Sequence, residues 1–225
     1  METTMTRSPS RRGCALFPAL LIILLGVIAG LYPWATADPI PRDPTLIPGT
    51  PIPDAVRYLV VPAESSLGLE LEAMIGRVSG QAEMKDGTVE LVREGDGWRV
   101  VANLAMNVST LNVGNEMVNG LIRRALGVEE YPSGVFLATS ATTLPAIEDG
   151  AYNVDLAGQL ELRGVVRPYT FHTTMIFEGE RLALEAEATV QAQDFGVSVP
   201  RIVGSGVMES TMHVVTVREG AAAGN

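Results

Sequence analysis

Cysteine is almost missing from this sequence. The single thiol, Cys14, excludes an intrachain disulfide, so an exported domain must be held by its core alone, which 225 residues allow. Aromatic residues are scarce at 5%, so aliphatic side chains, Met and Ala must fill most of that core. Positive charge is in deficit: 16 Lys and Arg face 26 Asp and Glu, for a formal charge of −10. That balance removes the basic stripe a nucleic-acid partner requires, and it disfavours electrostatic docking on anionic lipid headgroups. Histidine is limited to His172 and His213, with no Cys near either. Since a zinc site takes about three protein ligands, neither a metal nor a cofactor is expected. Both histidines read as partly exposed strand residues, with a carboxylate partner at Glu185 or Glu209 if those strands adjoin.

Catalytic motifs are missing too. No Gly-x-Ser-x-Gly elbow is present, so nothing supports a nucleophile–histidine–acid arrangement. Asp194–Phe195–Gly196 spells a kinase metal-binding tripeptide, but no His-Arg-Asp loop or glycine-rich phosphate loop accompanies it. Gly204–Ser205–Gly206 lacks the third glycine and following helix of a dinucleotide site and reads as a turn. The chain does not read as an enzyme.

The sequence does carry an address at its start. Arg7, Arg11 and Arg12 precede an apolar run from Ala15 to Leu31, followed by Tyr32 and Trp34 at interfacial positions. The run approaches the roughly 20 residues that span a bilayer and exceeds the roughly 7–15 of a signal core. Residues 1–37 therefore read as a membrane anchor that places the C-terminal domain outside the cytoplasm. The alternative is a signal segment cut after Ala37, which would leave a secreted protein. Residues 38–54 carry Pro39, Pro41, Pro44, Pro48, Pro51 and Pro53, a density that suits a semi-extended spacer and no helix or sheet interior. Residues 55–219 form the folded domain, and 220–225 are a small-residue tail.

The folded domain reads as strands with one apolar face each. At 154–162, Val154, Leu156, Gly158, Leu160 and Leu162 alternate with polar positions, and Arg163–Gly164 breaks the strand before a second one at 166–177. Further strands are expected at 56–61, 66–72, 82–92 with a bend at Asp86–Gly87, 98–109, 133–142, 181–193 and 207–218, with a hairpin at Gly95–Asp96–Gly97. Residues 74–79 read as a short helix or irregular bridge. Within 112–130, Met117, Val118, Leu121, Ile122, Ala125 and Leu126 fall at helical spacing, and Gly127 can end that helix. So many half-buried strands mean a sandwich or a closed barrel, and periodicity does not choose. Small or flexible residues on the inner faces (Ala102, Met106, Ala138, Ala186, Ala188) fit a tapering solid core or the lining of an apolar cavity, and the pattern alone favours the core.

Six segments, in order, carry a family resemblance. They are Glu64–Ser65–Ser66–Leu67; Val78–Ser79–Gly80–Gln81–Ala82; Val108–Ser109–Thr110 with Gly114–Asn115; Glu129–Glu130–Tyr131–Pro132 with Val135–Phe136; Gly158-x-Leu160-x-Leu162-Arg163-Gly164-Val165; and Asp194–Phe195–Gly196–Val197. The chain resembles the YceI-like family of polyisoprenoid-binding, lipid-binding periplasmic proteins over roughly residues 58–218. It departs at the family's early His, where Ser65 stands nearby, at Ala82 for Phe and at Glu161 for Thr. Asn119 stands where the family has an Asp, if that position is kept. The resemblance implies an all-β, antiparallel, lipocalin-like barrel with one short helical insertion and a long apolar tunnel. The ligand it implies is an isoprenoid or other long-chain lipid, held for storage, shielding or transfer. Candidate lining residues are Leu67, Leu69, Leu71, Leu104, Met106, Phe136, Leu156, Leu160, Phe171, Met175 and Leu184. Arg123 and Arg124 are candidates for a headgroup or diphosphate at the mouth. Partners are therefore that lipid and, through the N-terminal helix, the membrane; a homodimer is left open. The rival reading is a tethered structural or interaction domain with a packed core and no ligand.

Overall fold

The computed structural model describes residues 51–73, 76–197 and 206–221. The apolar run Ala15 to Leu31, nearly all of the spacer and most of the tail lie outside the described residues. Alternating apolar and polar positions form nine strands: β1 (Val56–Val60), β2 (Ser66–Ala73), β3 (Gly76–Glu94), β4 (Gly97–Asn112), β5 (Ser133–Ser140), β6 (Gly150–Leu162), β7 (Val165–Glu178), β8 (Arg181–Gln191) and β9 (Val207–Arg218). One helix, α1 (Glu116–Leu126), stands between β4 and β5.

All pairings are antiparallel, and the sheet closes on itself. β1 and β2 both lie between β3 and β9, end to end, so they act as one broken strand and the barrel has eight positions. The break has a chemical cause. Pro62 opens a one-turn 3-10 helix, Pro62–Glu64, and offers no N–H to the ladder. Ser65 then bridges the gap. Its hydroxyl donates to Val61 O (2.8 Å), with Val215 O also in reach (3.3 Å), and accepts from Val215 N–H (2.9 Å).

The expected breaks are where local chemistry demands them. Arg163 (φ 53°) and Gly164 (φ 70°) make a two-residue, left-handed turn between β6 and β7, the geometry whose twist suits a hairpin. Two expectations are corrected. Residues 76–79 belong to β3, paired with β2 through Leu71↔Val78 and Glu70↔Ser79, and form no helix or bridge. The strand read as 181–193 ends at Gln191, because Ala192–Phe195 turn into a 3-10 helix closed by Gly196 in the left-handed conformation. The bend expected at Asp86–Gly87 is a pair of register shifts, between Gln81 and Glu83 and between Met84 and Asp86. The inward residues of β3 consequently change parity, from Ala82 and Met84 to Val89 and Leu91. Glu90 is thereby buried on the outside, where Arg57 Nε meets it at 3.2 Å.

The barrel has two unlike ends. At one, Tyr58 and Tyr152 pack edge-on against Phe177 at 6.2 and 5.7 Å. There the β5–β6 connection folds back, with Leu144 and Trp98 exchanging two backbone hydrogen bonds of 2.8 Å. Leu144 is buried, so this end is closed by side chains. At the other end, Leu69, Leu162, Tyr169, Ala188 and Met208 pack against the core and are only partly buried, and Leu71, also half-buried, continues the parity of β2 at the rim. Ile122 and Leu126 of α1 pack against the core there. Among the described residues, this is the open end.

Candidate functional site

Nine of the eleven candidate lining residues, all but Leu69 and Leu71, lie in one continuous buried cluster inside the barrel. Their parity was legible, but their contact with a tunnel is not what the interior presents. Phe136, Leu156 and Met175 are 0% exposed, so no water-sized void touches them. Leu104, Phe171 and Leu184 are equally sealed at 1%. Around these residues the interior is a packed core. Leu69 and Leu71, half-buried on β2, are the two candidates that border the opening.

The seal has a backbone origin. Phe136 on β5 and Phe171 on β7 flank β6, and their rings meet at 4.7 Å, tilted by 57°. Between them β6 contributes Gly158, paired with Ala138 and Tyr169. A Cβ at Gly158 would stand 1.9 Å from Leu137 O and 2.5 Å from the Ala138 Cα, so no larger residue fits. The bare backbone lets two rings close over β6 in mid-barrel. Toward the open end, Gly134 leaves a similar gap, filled by movable side chains: a Cβ there would lie 2.7 Å from Leu162 Cδ2 and 3.1 Å from Met106 Sδ.

The rim of the open end is a polar network. Tyr169 stacks on Phe195 at 5.7 Å, and its hydroxyl donates to Asp194 Oδ2 (2.7 Å) and accepts from Gln191 N–H (3.0 Å). Burial, seconded by Asp194, pushes the Tyr169 phenol up to about 12. Arg163 donates to Phe195 O (3.3 Å) and Gly196 O (2.8 Å), which joins the β6–β7 turn to the end of β8. Asp194–Phe195–Gly196 is thus a rim turn. Asn119, read as a family position, is buried on α1; its Oδ1 accepts from Val113 N–H (2.8 Å) and its amide donates to Asn112 Oδ1 (3.0 Å). Most of the segments that carry the family resemblance therefore gather at this end.

The two headgroup candidates separate. Arg123 is half-buried, and its guanidinium donates to Leu111 O (3.2 Å); its Nε is buried without a hydrogen-bond partner. Arg124 is exposed. Sequence reasoning passed over Tyr169 and Met208, although the inward parity of β7 and β9 marks both, and it placed Leu162 on the inward face of β6 without counting it among the lining residues. The histidines are placed as expected on exposed strand faces: His172 Nδ1 lies 2.7 Å from Asp155 Oδ1, and His213 Nδ1 lies 3.9 Å from Glu185 Oε1. His172, Asp155 and Glu185 border an open trough of about 560 Å³ on the outside of β6–β8. A smaller hollow of about 190 Å³ lies at the open rim between β2, β3 and β9, lined by Leu71, Val207 and charged residues including Arg77 and Glu209. Among the described residues, no group of three or more His, Cys, Asp or Glu is placed to hold a metal ion. No described helix is long and apolar enough to cross a membrane.

This architecture recurs in solved structures. Burkholderia cenocepacia BcnA superposes with a TM-score of 0.54 at 18% identity, covering 69% of this chain and 98% of BcnA. A polyisoprenoid binding domain from Saccharophagus degradans, implicated in plant cell wall breakdown, gives 0.55 at 14% identity, covering 73% and 99%. At these identities the likeness is one of fold. In sequence, a UPF0312 protein of Pseudomonas putida is 33% identical over 81 residues, which is 33% of this chain and 40% of that protein. The chain thus spans about two-fifths of the length of that relative. The YceI-like domain pattern matches residues 58–218, from the middle of β1 to the end of β9, and the chain belongs to that family.

Proposed function

We propose that this protein is a lipid-binding barrel that takes the apolar tail of an isoprenoid-type amphiphile through its open end. In this reading the run from Ala15 to Leu31 holds it to a membrane outside the cytoplasm, and the barrel shields the lipid or passes it on. The observation that carries the proposal is the one-sided opening: a continuous apolar interior, sealed by Tyr58, Tyr152 and Phe177 at one end, reaches solvent through Leu69, Leu71, Tyr169 and Met208 at the other. Burying a tail there is worth about 0.8 kcal/mol per methylene-sized group, so affinity needs few polar anchors. The packed middle of the barrel favours the rival reading, a tethered interaction domain without a ligand.

Mass spectrometry of organic extracts from the purified full chain, followed by uptake of farnesol by the stripped protein, separates the two. Bound or absorbed lipid is expected. Leu71→Arg, at a half-buried rim position where a charge can reach water, is expected to cut uptake roughly tenfold or more while leaving the fold intact. A stripped protein that absorbs no prenol at all would leave only the interaction domain.

A further inference from the structure

Helix α1 turns part of its apolar surface to solvent. Among the described residues three large apolar side chains are exposed: Leu59 at 39%, Leu121 at 38% and Met117 at 65%. Two of the three stand on α1, one turn apart. Resting on the tethered reading above, we infer that this stripe docks the open rim on a zwitterionic phospholipid bilayer. The barrel then draws its lipid from the membrane surface and not from a soluble carrier.

The helix has two apolar sides. Ile122 and Leu126 pack against the core. Met117, Leu121 and Arg124 follow at i, i+4 and i+7, which puts them on one stripe. All three are exposed, and Arg124 has neither an ion pair nor a side-chain hydrogen bond among the described residues. An apolar pair ended by a cation suits a helix lying in a membrane interface. The apolar residues enter the acyl boundary, and the long Arg stem lifts its guanidinium to a headgroup phosphate. The stripe is also joined to the opening. Leu69 pairs with Gly80, and Val113, just ahead of α1, fills the space that Gly80 leaves: a Cβ there would lie 2.8 Å from Val113 Cγ1. Apolar surface thus continues from α1 through Val113 to Leu69 at the rim.

Charge and size choose the partner. Glu116, Glu129 and Glu130 flank the stripe, and the chain carries −10 overall, so an anionic surface repels it and a net-neutral one does not. Two side chains cover far less than the roughly 800 Å² per partner that a stable dimer buries. A bilayer asks for less, because a tether makes docking intramolecular and a weak contact then suffices. The spacer has the reach for it. β1 starts at the closed end, where Tyr58 pairs with Arg218. The 13 residues of β6 rise about 33 Å along the axis, at about 3.3 Å each and a tilt of about 40°. Residues 38–54, fully extended, cover about 60 Å at most.

The test uses the full chain with Cys14→Ser, which leaves one engineered thiol for labelling. A nitrobenzoxadiazole probe on Met117→Cys reports at the stripe, and the same probe on Asp96→Cys reports at the β3–β4 hairpin of the closed end. The labelled chains are reconstituted into phosphatidylcholine vesicles, with and without 5-doxyl phosphatidylcholine, and floated. The probe at 117 is expected to lose about half of its fluorescence or more to the doxyl lipid, and the probe at 96 to keep it. Leu121→Asp is expected to abolish the loss at 117 while the chain still floats. Replacing about a third of the lipid by phosphatidylglycerol is expected not to deepen the loss. A chain that floats with no quenching at 117, or with equal quenching at both sites, would overturn docking and leave the tether and lipid uptake standing. Deeper quenching on phosphatidylglycerol would overturn the zwitterionic assignment. A blue shift at 117 that needs no vesicles and grows with protein concentration would put a second copy on the stripe and overturn the bilayer. A chain that does not float at all would overturn tether and docking together.

Discussion

The Tyr169 hydroxyl is held between the Asp194 carboxylate and the Gln191 N–H, and its ring is stacked on Phe195. Its phenol ionises at about 12 in the folded chain against an ordinary 10.0, chiefly because burial disfavours the phenolate. The unfolded chain therefore loses this proton first. Stability from Tyr169 is whole below pH 10 and drains away as pH rises from about 10 to about 12. Urea unfolding at about pH 9 and about pH 11 should show a steeper loss for the unaltered protein than for Tyr169→Phe. Tyr58, also raised by burial, titrates in both and cancels in the comparison. Identical losses would mean that the Tyr169 hydroxyl does not tie the rim together. This network was only half legible. Arg163–Gly164 and Asp194–Phe195–Gly196 stood out as motifs, but their meeting through the Arg163 guanidinium is a contact across 32 residues of chain that no local pattern encodes.

Helix α1 shows what local signals do fix. Asn115 Oδ1 accepts from Met117 N–H (3.1 Å) and Val118 N–H (3.2 Å), and Gly127 closes the far end at φ 63°. Ile122 and Leu126 pack on the core, whereas Met117 and Leu121 on the same apolar spacing are exposed. The helical spacing was readable, and the side that would be covered was not, because only Ile122 and Leu126 of the apolar positions reach the core, where α1 adjoins β4. Asn119 pins it by satisfying Val113 N–H and Asn112. Asn119→Ala leaves the half-buried Val113 N–H without its acceptor and should cost about 1 kcal/mol. The loss is expected to be local: hydrogen exchange should quicken in α1 and at Val113 while β6–β9 keep their protection. Quickening spread evenly over all strands would show that α1 is an integral part of the barrel. The strands were legible wherever strict alternation held, as in β4, β6 and β9. β3 was less so, because the register shift between Met84 and Asp86 reverses which residues face inward.

At the scale of the molecule, the barrel depends on its seam. The broken strand β1–β2 is held to β9 across the break by the Ser65 hydroxyl, which stands near the family's early His. Ser65→Ala removes the bonds to Val61 O and Val215 N–H and should lower the unfolding free energy by about 1–3 kcal/mol. A single urea transition is expected to remain, since opening the seam opens every inner face at once. Two separated transitions would show the β1–β2 segment leaving on its own. A closed barrel was within reach of the sequence, but the choice between tunnel and solid core was not. Ala102, Ala138 and Gly158 suggest room when counted singly, and it is the convergence of Phe136 and Phe171 over β6 that removes it. Closure has one more consequence. Among the described strands each one has a neighbour on both sides for at least part of its length, so no strand is an edge from end to end. The ladders do stop short in places: among the described residues, 150–154 of β6 and 165–171 of β7 each pair with the other's strand and carry no second ladder. Strand addition by another polypeptide is thus confined to such short stretches, and edge-to-edge aggregation has no full-length edge to start from.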